Sequence, residues 1–345
     1  MVLLYKVTVS ATEKREGFIL NKINNMERQK SRDNFLEQYA CSHGLDSIAD
    51  FQPFPKYFLI ESCGSCNARC IMCPVEDVKR AKKLMPDKLF DKLVEQISPH
   101  ADWVKQVALQ AQGEPTLDKR LHYKIRRMKD IGIKTVTIIS NGSLMTKTKA
   151  EEILEAGLDF CDFSVDGSTK DTFENIRLRL DFDEVVRNIE NFIEARNRIN
   201  PDCFIRVRFT IQDTNRHEFD EFKKFWNARL GNNPNDLAYG KELHHWANWM
   251  DDFEPYENEE LNELNATPCQ SPFSTFAVLN DGRVALCCND YNAEVCLGNV
   301  YENTIEEIWH GNEFERIQNL HKERGRCGVD ICVNCNAWDP KAKIL

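Results

Sequence analysis

The feature that most narrows the fold is an alternation repeated six times between residues 57 and 243. Short apolar runs at 57–61, 104–111, 135–140, 160–165, 204–211 and 237–243 are separated by amphipathic stretches at 86–97, 118–131, 147–156, 182–198 and 217–230. Strands alternating with helices at this spacing predict parallel pairing through right-handed crossovers. Six units are too few to close an eight-stranded barrel. The expected fold is therefore α/β, a partial (β/α)6 barrel of the TIM type, with its chemistry at the C-terminal ends of the strands.

Two segments flank this core. Residues 1–55 are charged and read as a helical extension, with a weak apolar stripe of Ile19, Leu20, Ile23 and Met26. Residues 56–255 hold the repeated units and end in an acidic connector. Residues 256–345 form a small cysteine-rich domain, in which Asn280-Asp281-Gly282 between apolar runs predicts a β-hairpin and 304–320 predicts a helix.

Cysteine is the abnormal component, with 14 in 345 residues. The start of the chain lacks the apolar region of an export signal, and no apolar run reaches the roughly 18 residues of a membrane span, so a cytoplasmic protein with reduced thiols is expected. The net charge of −10, with Lys and Arg scattered among acids, argues against a nucleic-acid surface. Clustered thiols in such a setting point to metal or redox chemistry. Cys161 and Cys203 stand alone in predicted strands and read as small buried apolar residues.

The first cluster is Cys66-Asn-Ala-Arg-Cys70-Ile-Met-Cys73, directly after the first strand. Three thiolates can hold three irons of a [4Fe–4S] cube and leave the fourth iron open to an outside chelate. A zinc loop completed by Cys63 is the competing reading. A second set, Cys269, Cys287, Cys332 and Cys335, offers four thiolates, suited to a fully ligated cluster or to a structural zinc.

The first spacing resembles the signature of the radical S-adenosylmethionine (SAM) superfamily. In that family the open iron is chelated by the amino and carboxylate groups of SAM. Gln112-Gly113-Glu114-Pro115 looks like the family's GGEP motif, with Gln in place of the first Gly, and implies contact with the SAM amino group. Ser140-Asn141-Gly142 falls where the family contacts the ribose. Ser164-Val-Asp166-Gly167 ends the fourth strand and Arg177 sits in the helix that follows; the family's equivalents of Ser164 and Arg177 contact the SAM carboxylate, and Asp166 falls in the same cofactor site. The C-terminal cysteines resemble the SPASM and shorter Twitch extensions, which bind auxiliary [4Fe–4S] clusters, and imply one such cluster on Cys269, Cys287, Cys332 and Cys335.

The resemblance implies reductive cleavage of SAM to a 5′-deoxyadenosyl radical, which takes hydrogen from a substrate. It also implies a reducing partner such as flavodoxin or ferredoxin. Among its members the cysteine spacing is similar to that of aminocyclitol dehydrogenases. A small polyol, sugar or aminocyclitol, either oxidised or epimerised, is the expected substrate. His244 and His245 are candidate proton acceptors, and Cys288, Cys296 and Cys327 candidate hydrogen donors. A peptide-modifying maturase and a plain iron–sulfur electron carrier are the alternatives.

Overall fold

The computed structural model describes residues 11–231, 233–244 and 258–337. Six parallel strands are present: β1 (Tyr57–Ile60), β2 (Gln106–Ala108), β3 (Thr135–Ser140), β4 (Phe160–Ser164), β5 (Phe204–Ile211) and β6 (Leu237–Glu242). They pair in chain order, and crossover helices link them. The helices cover one face because the strands alternate. Val107, Val136, Ile138, Cys161, Phe163, Val207 and Phe209 share one buried apolar core with the helices, in which the Phe163 ring meets Phe192 at 5.2 Å. Residues of the other parity, among them Asp162, Ser164, Arg206 and Arg208, line the opposite face, the interior of the partial barrel.

The C-terminal segment joins this sheet. Strand β7 (Thr275–Val278) pairs parallel with β1, Tyr57 opposite Thr275, and the hairpin continues through β8 (Arg283–Ala285) to β9 (Cys296–Asn299). The result is one nine-stranded sheet in the order β9-β8-β7-β1-β2-β3-β4-β5-β6. The hairpin was legible in sequence, since Gly282 takes the positive φ (86°) that its turn requires. Its docking on β1 was not.

Two expectations need adjustment. The helix expected over 304–320 is two helices, Ile305–Trp309 and Asn312–Arg324, because Gly311 is the N-cap of the second. The N-terminal helix runs Ala11–Ser42 and is tied to the C-terminal segment, with the Arg32 guanidinium donating to the Lys322 carbonyl at 3.0 Å. Among the described residues no helix is long and apolar enough to cross a membrane.

Candidate active site

The loop leaving β1 carries Cys66, Cys70 and Cys73 and is held on two sides. Its Arg69–Cys70 segment pairs antiparallel with Arg177–Leu178, which sets Cys70 opposite Arg177. On the other side Glu114 N donates to Ser65 O at 2.8 Å. Gly113 lies so close to the loop that a Cβ there would stand 2.0 Å from the Cys63 carbonyl oxygen. That approach, more than any special φ, is why glycine precedes Glu114.

Arg177 was expected inside a helix. It instead ends the helix Lys170–Ile176 and opens the short strand beside the cysteines. Its Nη1 donates to Cys70 Sγ at 3.5 Å, and its Nη2 lies 2.6 Å from Asp166 Oδ2. Asp166 Oδ1 accepts from Thr210 N at 2.7 Å, so this buried ion pair is anchored to the backbone of β5. Burial pushes the thiols up, to about 11 at Cys66 and about 12 at Cys73, with Arg177 opposing the shift at both. Metal binding as thiolates would release those protons.

Glu114 stands on the Cys66 side. Its Oε1 accepts from Thr116 N, Thr116 Oγ1 and Ser140 Oγ at 3.0, 2.5 and 2.8 Å, and its Oε2 accepts from Asn141 N at 2.8 Å. The carboxylate is thus a strut between the ends of β2 and β3. A direct bond to a SAM ammonium, as the motif implies, would share Oε2 with Asn141. Asn141 Nδ2 in turn lies 4.0 Å from Cys66 Sγ and donates to Asn67 Oδ1 at 3.0 Å. Pro115 is buried in the turn that follows, and Ser164 Oγ accepts from Arg208 Nη2 at 2.7 Å.

The second set lines one cavity, where Cys269, Cys287, Cys332 and Cys335 stand together with Ser271, Pro272, Leu286, Ile331 and Arg326. Its walls are mostly apolar, and burial pushes the Cys269 thiol up to about 12. The buried Arg326 guanidinium donates to the carbonyls of Leu264, Thr267 and Pro268. Among the described residues, no three His, Cys, Asp or Glu side chains converge as they would around a single ion. Four thiols around one apolar cavity are the donor set of a fully ligated cluster.

The two sites meet through side chains that the sequence reading passed over. Gln112, the residue replacing the motif's first glycine, donates to the Cys288 carbonyl. Arg80 holds Glu61 through two bonds of 2.5 Å and also reaches Asn280 Oδ1 and the Tyr291 carbonyl. Glu61 Oε2 accepts from Asn280 N at 3.0 Å. This buried node binds β1, the segment after the cysteine loop and the hairpin together. The signal for it was a Glu at the end of an apolar strand.

The remaining candidates divide. Cys287 and Cys288 sit in a turn beyond β8, and of the two only Cys287 lines the cavity. Cys288 is half-buried, with Lys241 nearby. Cys296 and Cys327 are exposed and are not among the residues lining that cavity. Cys63 is buried and hydrogen-bonded with Ser65. His244 follows β6 and is half-buried; His245 lies outside the described residues.

The barrel interior holds further polar groups. Tyr239 donates to Asp162 Oδ2 at 2.8 Å, while Asp162 Oδ1, the Arg206 and Arg208 Nε atoms, Gln110 Oε1 and Gln212 Nε2 are buried without a hydrogen-bond partner among the described residues. Orphaned buried polar atoms on one face are a mark of a ligand site.

Comparison with known proteins agrees with this architecture. Residues 60–225 match the radical SAM superfamily and residues 269–336 an iron–sulfur cluster-binding domain. The chain is 23% identical over 282 residues to an S-adenosyl-L-methionine-dependent 2-deoxy-scyllo-inosamine dehydrogenase of Niallia circulans, covering 80% of this chain and 91% of that protein. A probable GTP 3′,8-cyclase of Sulfurisphaera tokodaii is 30% identical over 161 residues, but only 46% of this chain and 48% of the cyclase are covered. The fold is shared with BtrN in complex with AdoMet and 2-DOIA (TM-score 0.58, 19% identity, 83% of this chain and 94% of that one). It is shared too with anSMEcpe with bound AdoMet (TM-score 0.55, 19% identity, 77% and 80%). With a three-cysteine loop beside a buried arginine and four further cysteines around one cavity, the chain belongs to the radical SAM superfamily and carries a SPASM iron–sulfur domain behind its core.

Proposed function

We propose that this enzyme is a radical SAM dehydrogenase that oxidises a hydroxyl group of a small polyol, sugar or aminocyclitol. The observation that carries the reading is the enclosure of one cavity by Cys269, Cys287, Cys332 and Cys335. Four thiolates leave no iron vacant for a substrate, so that centre is suited to accepting an electron. The similarity to an aminocyclitol dehydrogenase across most of both chains supports the same outcome. Epimerisation, the other expectation, has no counterpart among the relatives described above.

Superfamily membership brings a [4Fe–4S] cluster and SAM to the core and auxiliary iron–sulfur binding to the C-terminal domain. When bound, these groups supply a 5′-deoxyadenosyl radical that removes a substrate hydrogen and a second centre that accepts the remaining electron. Cys66, Cys70 and Cys73 hold the first cluster, and the second cysteine set holds the other. Arg177, oriented by Asp166, supplies positive charge beside Cys70 and stands ready for the SAM carboxylate. Asn141 and the Glu114 strut fix the Cys66 side.

Asp162 is positioned to receive the substrate hydroxyl. Tyr239 orients its Oδ2, its Oδ1 has no hydrogen-bond partner among the described residues, and burial raises its carboxyl above the ordinary range, toward the pH at which it can accept a proton. The reducing partner is a small electron donor of the flavodoxin or ferredoxin kind.

The test is anaerobic incubation of the reconstituted protein with SAM, reductant and a panel of polyols, aminocyclitols and peptides. A product two mass units lighter than a polyol, formed with 5′-deoxyadenosine, is expected. Turnover of peptides alone, or zinc in place of the second set of irons, would overturn the reading.

A further inference from the structure

The barrel interior is unevenly charged. Strand β5 sends Arg206 and Arg208 to the inner face, and β6 sends Tyr239 and Lys241 to the same face, with Arg208 opposite Tyr239 and Thr210 opposite Lys241. Among the described residues, the carboxylate that faces these three cations is Asp162 on β4. The Asp166–Arg177 pair is internally balanced, and the charge of Glu114 is taken up by four protein donors. Asp162 lies 3.7 Å from Arg208 and so offsets one cation of the three.

Two of these cations, Arg208 and Lys241, stand on neighbouring strands at the same face of the sheet. Among the described residues Lys241 makes no ion pair; its ammonium donates only to the Ala337 carbonyl, at 3.3 Å. Arg208 spends Nη2 on Ser164 and keeps a buried Nε with no acceptor. Arg208 pairs with Tyr239, two residues before Lys241 on the neighbouring strand, so the two like charges project from the same face of the sheet. Desolvated cations left without a counter-charge are costly unless something else supplies one. The hydroxyl-accepting Asp162 lies beside them, as a substrate carrying both a hydroxyl and an acidic group would require.

We propose that Lys241 and Arg208 form an anion subsite, and that the substrate carries a carboxylate or phosphate in addition to the hydroxyl it presents to Asp162. This rests on the proposed reading that a small hydroxylated molecule binds in the barrel. It departs from the relative acting on 2-deoxy-scyllo-inosamine, whose amine would be protonated and repelled by the same residues. Arg206, deeper in the barrel and stacked at 5.0 Å over the Phe160 ring, adds to the positive field.

The test is calorimetric titration of the SAM-loaded holoenzyme, below neutral pH, with four probes sharing one ring: D-glucose, D-glucosamine, D-glucuronate and D-glucose 6-phosphate. One of the two acidic probes should bind about tenfold or more tightly than glucosamine, as expected of a charge-assisted contact, and which one does so separates carboxylate from phosphate. Lys241→Met should reduce that preference to within about twofold, and Lys241→Arg should retain it. Glucosamine binding as tightly as both acids overturns the inference, as does a preference that survives in both Lys241→Met and Arg208→Met. So does a loss of SAM affinity in Lys241→Met equal to the loss of sugar affinity, because the anion would then be the SAM carboxylate. Equal binding of all four probes defeats only the charge inference; binding of none defeats the small-polyol reading beneath it.

Discussion

The two cysteine sites are built on opposite plans. The first presents three thiols on a loop and surrounds them with polar groups: Arg177 on Cys70, Asn141 near Cys66, and the Glu114 strut beyond. The second closes four thiols inside walls of Pro272, Leu286 and Ile331 with a single guanidinium. Polar neighbours are needed where a zwitterionic chelate must bind. Apolar walls suit a centre that exchanges electrons and nothing else, because excluding water and ligands tunes such a centre. The contrast teaches that one protein can hold two similar clusters for different work by varying ligand number and the polarity of the surroundings.

The most severe way to break this contrast is to remove ligands. Cys70→Ala should abolish 5′-deoxyadenosine formation while about four irons remain, and Cys269→Ala with Cys287→Ala should also leave about four irons yet preserve SAM cleavage and lose the oxidised product. Iron analysis and product chromatography read both; equal loss of SAM cleavage would erase the distinction. Next comes Gly113→Ala, whose Cβ would press on the Cys63 carbonyl oxygen at 2.0 Å. It should deplete the first cluster and spare the second, visible as a fall of about half in iron content.

The two buried arginines sharpen the comparison. Arg177→Leu leaves Asp166 buried without its partner and should cost about 3–5 kcal/mol in urea melts. Arg326→Leu removes the donor to the Leu264, Thr267 and Pro268 carbonyls, and a smaller loss of about 1–3 kcal/mol is expected. A larger loss at Arg326 would mean that its charge matters more than its hydrogen bonds. The smallest effect belongs to Gln112→Gly. It restores the motif's usual residue but gives up the bond to the Cys288 carbonyl, about 0.5–1.5 kcal/mol by the same melts.

Much of this was readable in the chain. Strands β3 and β5 fall at the expected residues, because apolar alternation between turn signals is a local pattern. The cysteine spacings and the Gly113-Glu114-Pro115 turn were equally local. What escaped was non-local or carried by single residues. The placing of β7 beside β1 depends on partners at opposite ends of the chain, and the bond from Gln112 to Cys288 spans 176 positions. Arg206 and Arg208 did leave a trace. A strand covered on both faces should be apolar throughout, and charges at every second position within it mark an inner wall meant for a ligand.

The pairing of β7 with β1 also bears on how the chain reaches its folded state. Strand β1 emerges early in synthesis, but its outer edge is satisfied only when Thr275–Val278 arrive. Until then an apolar edge with open backbone donors and acceptors is exposed, which invites pairing with other chains. Closing it requires a contact between distant parts of the chain, the kind that slows folding most. The Glu61–Arg80–Asn280 node locks at the same moment, since Asn280 follows directly on β7. Maturation of the cysteine loop should therefore wait on the C-terminus. A nascent chain stalled before residue 275 is predicted to be aggregation-prone and poor at retaining iron, a behaviour that a series of truncated, arrested chains would reveal.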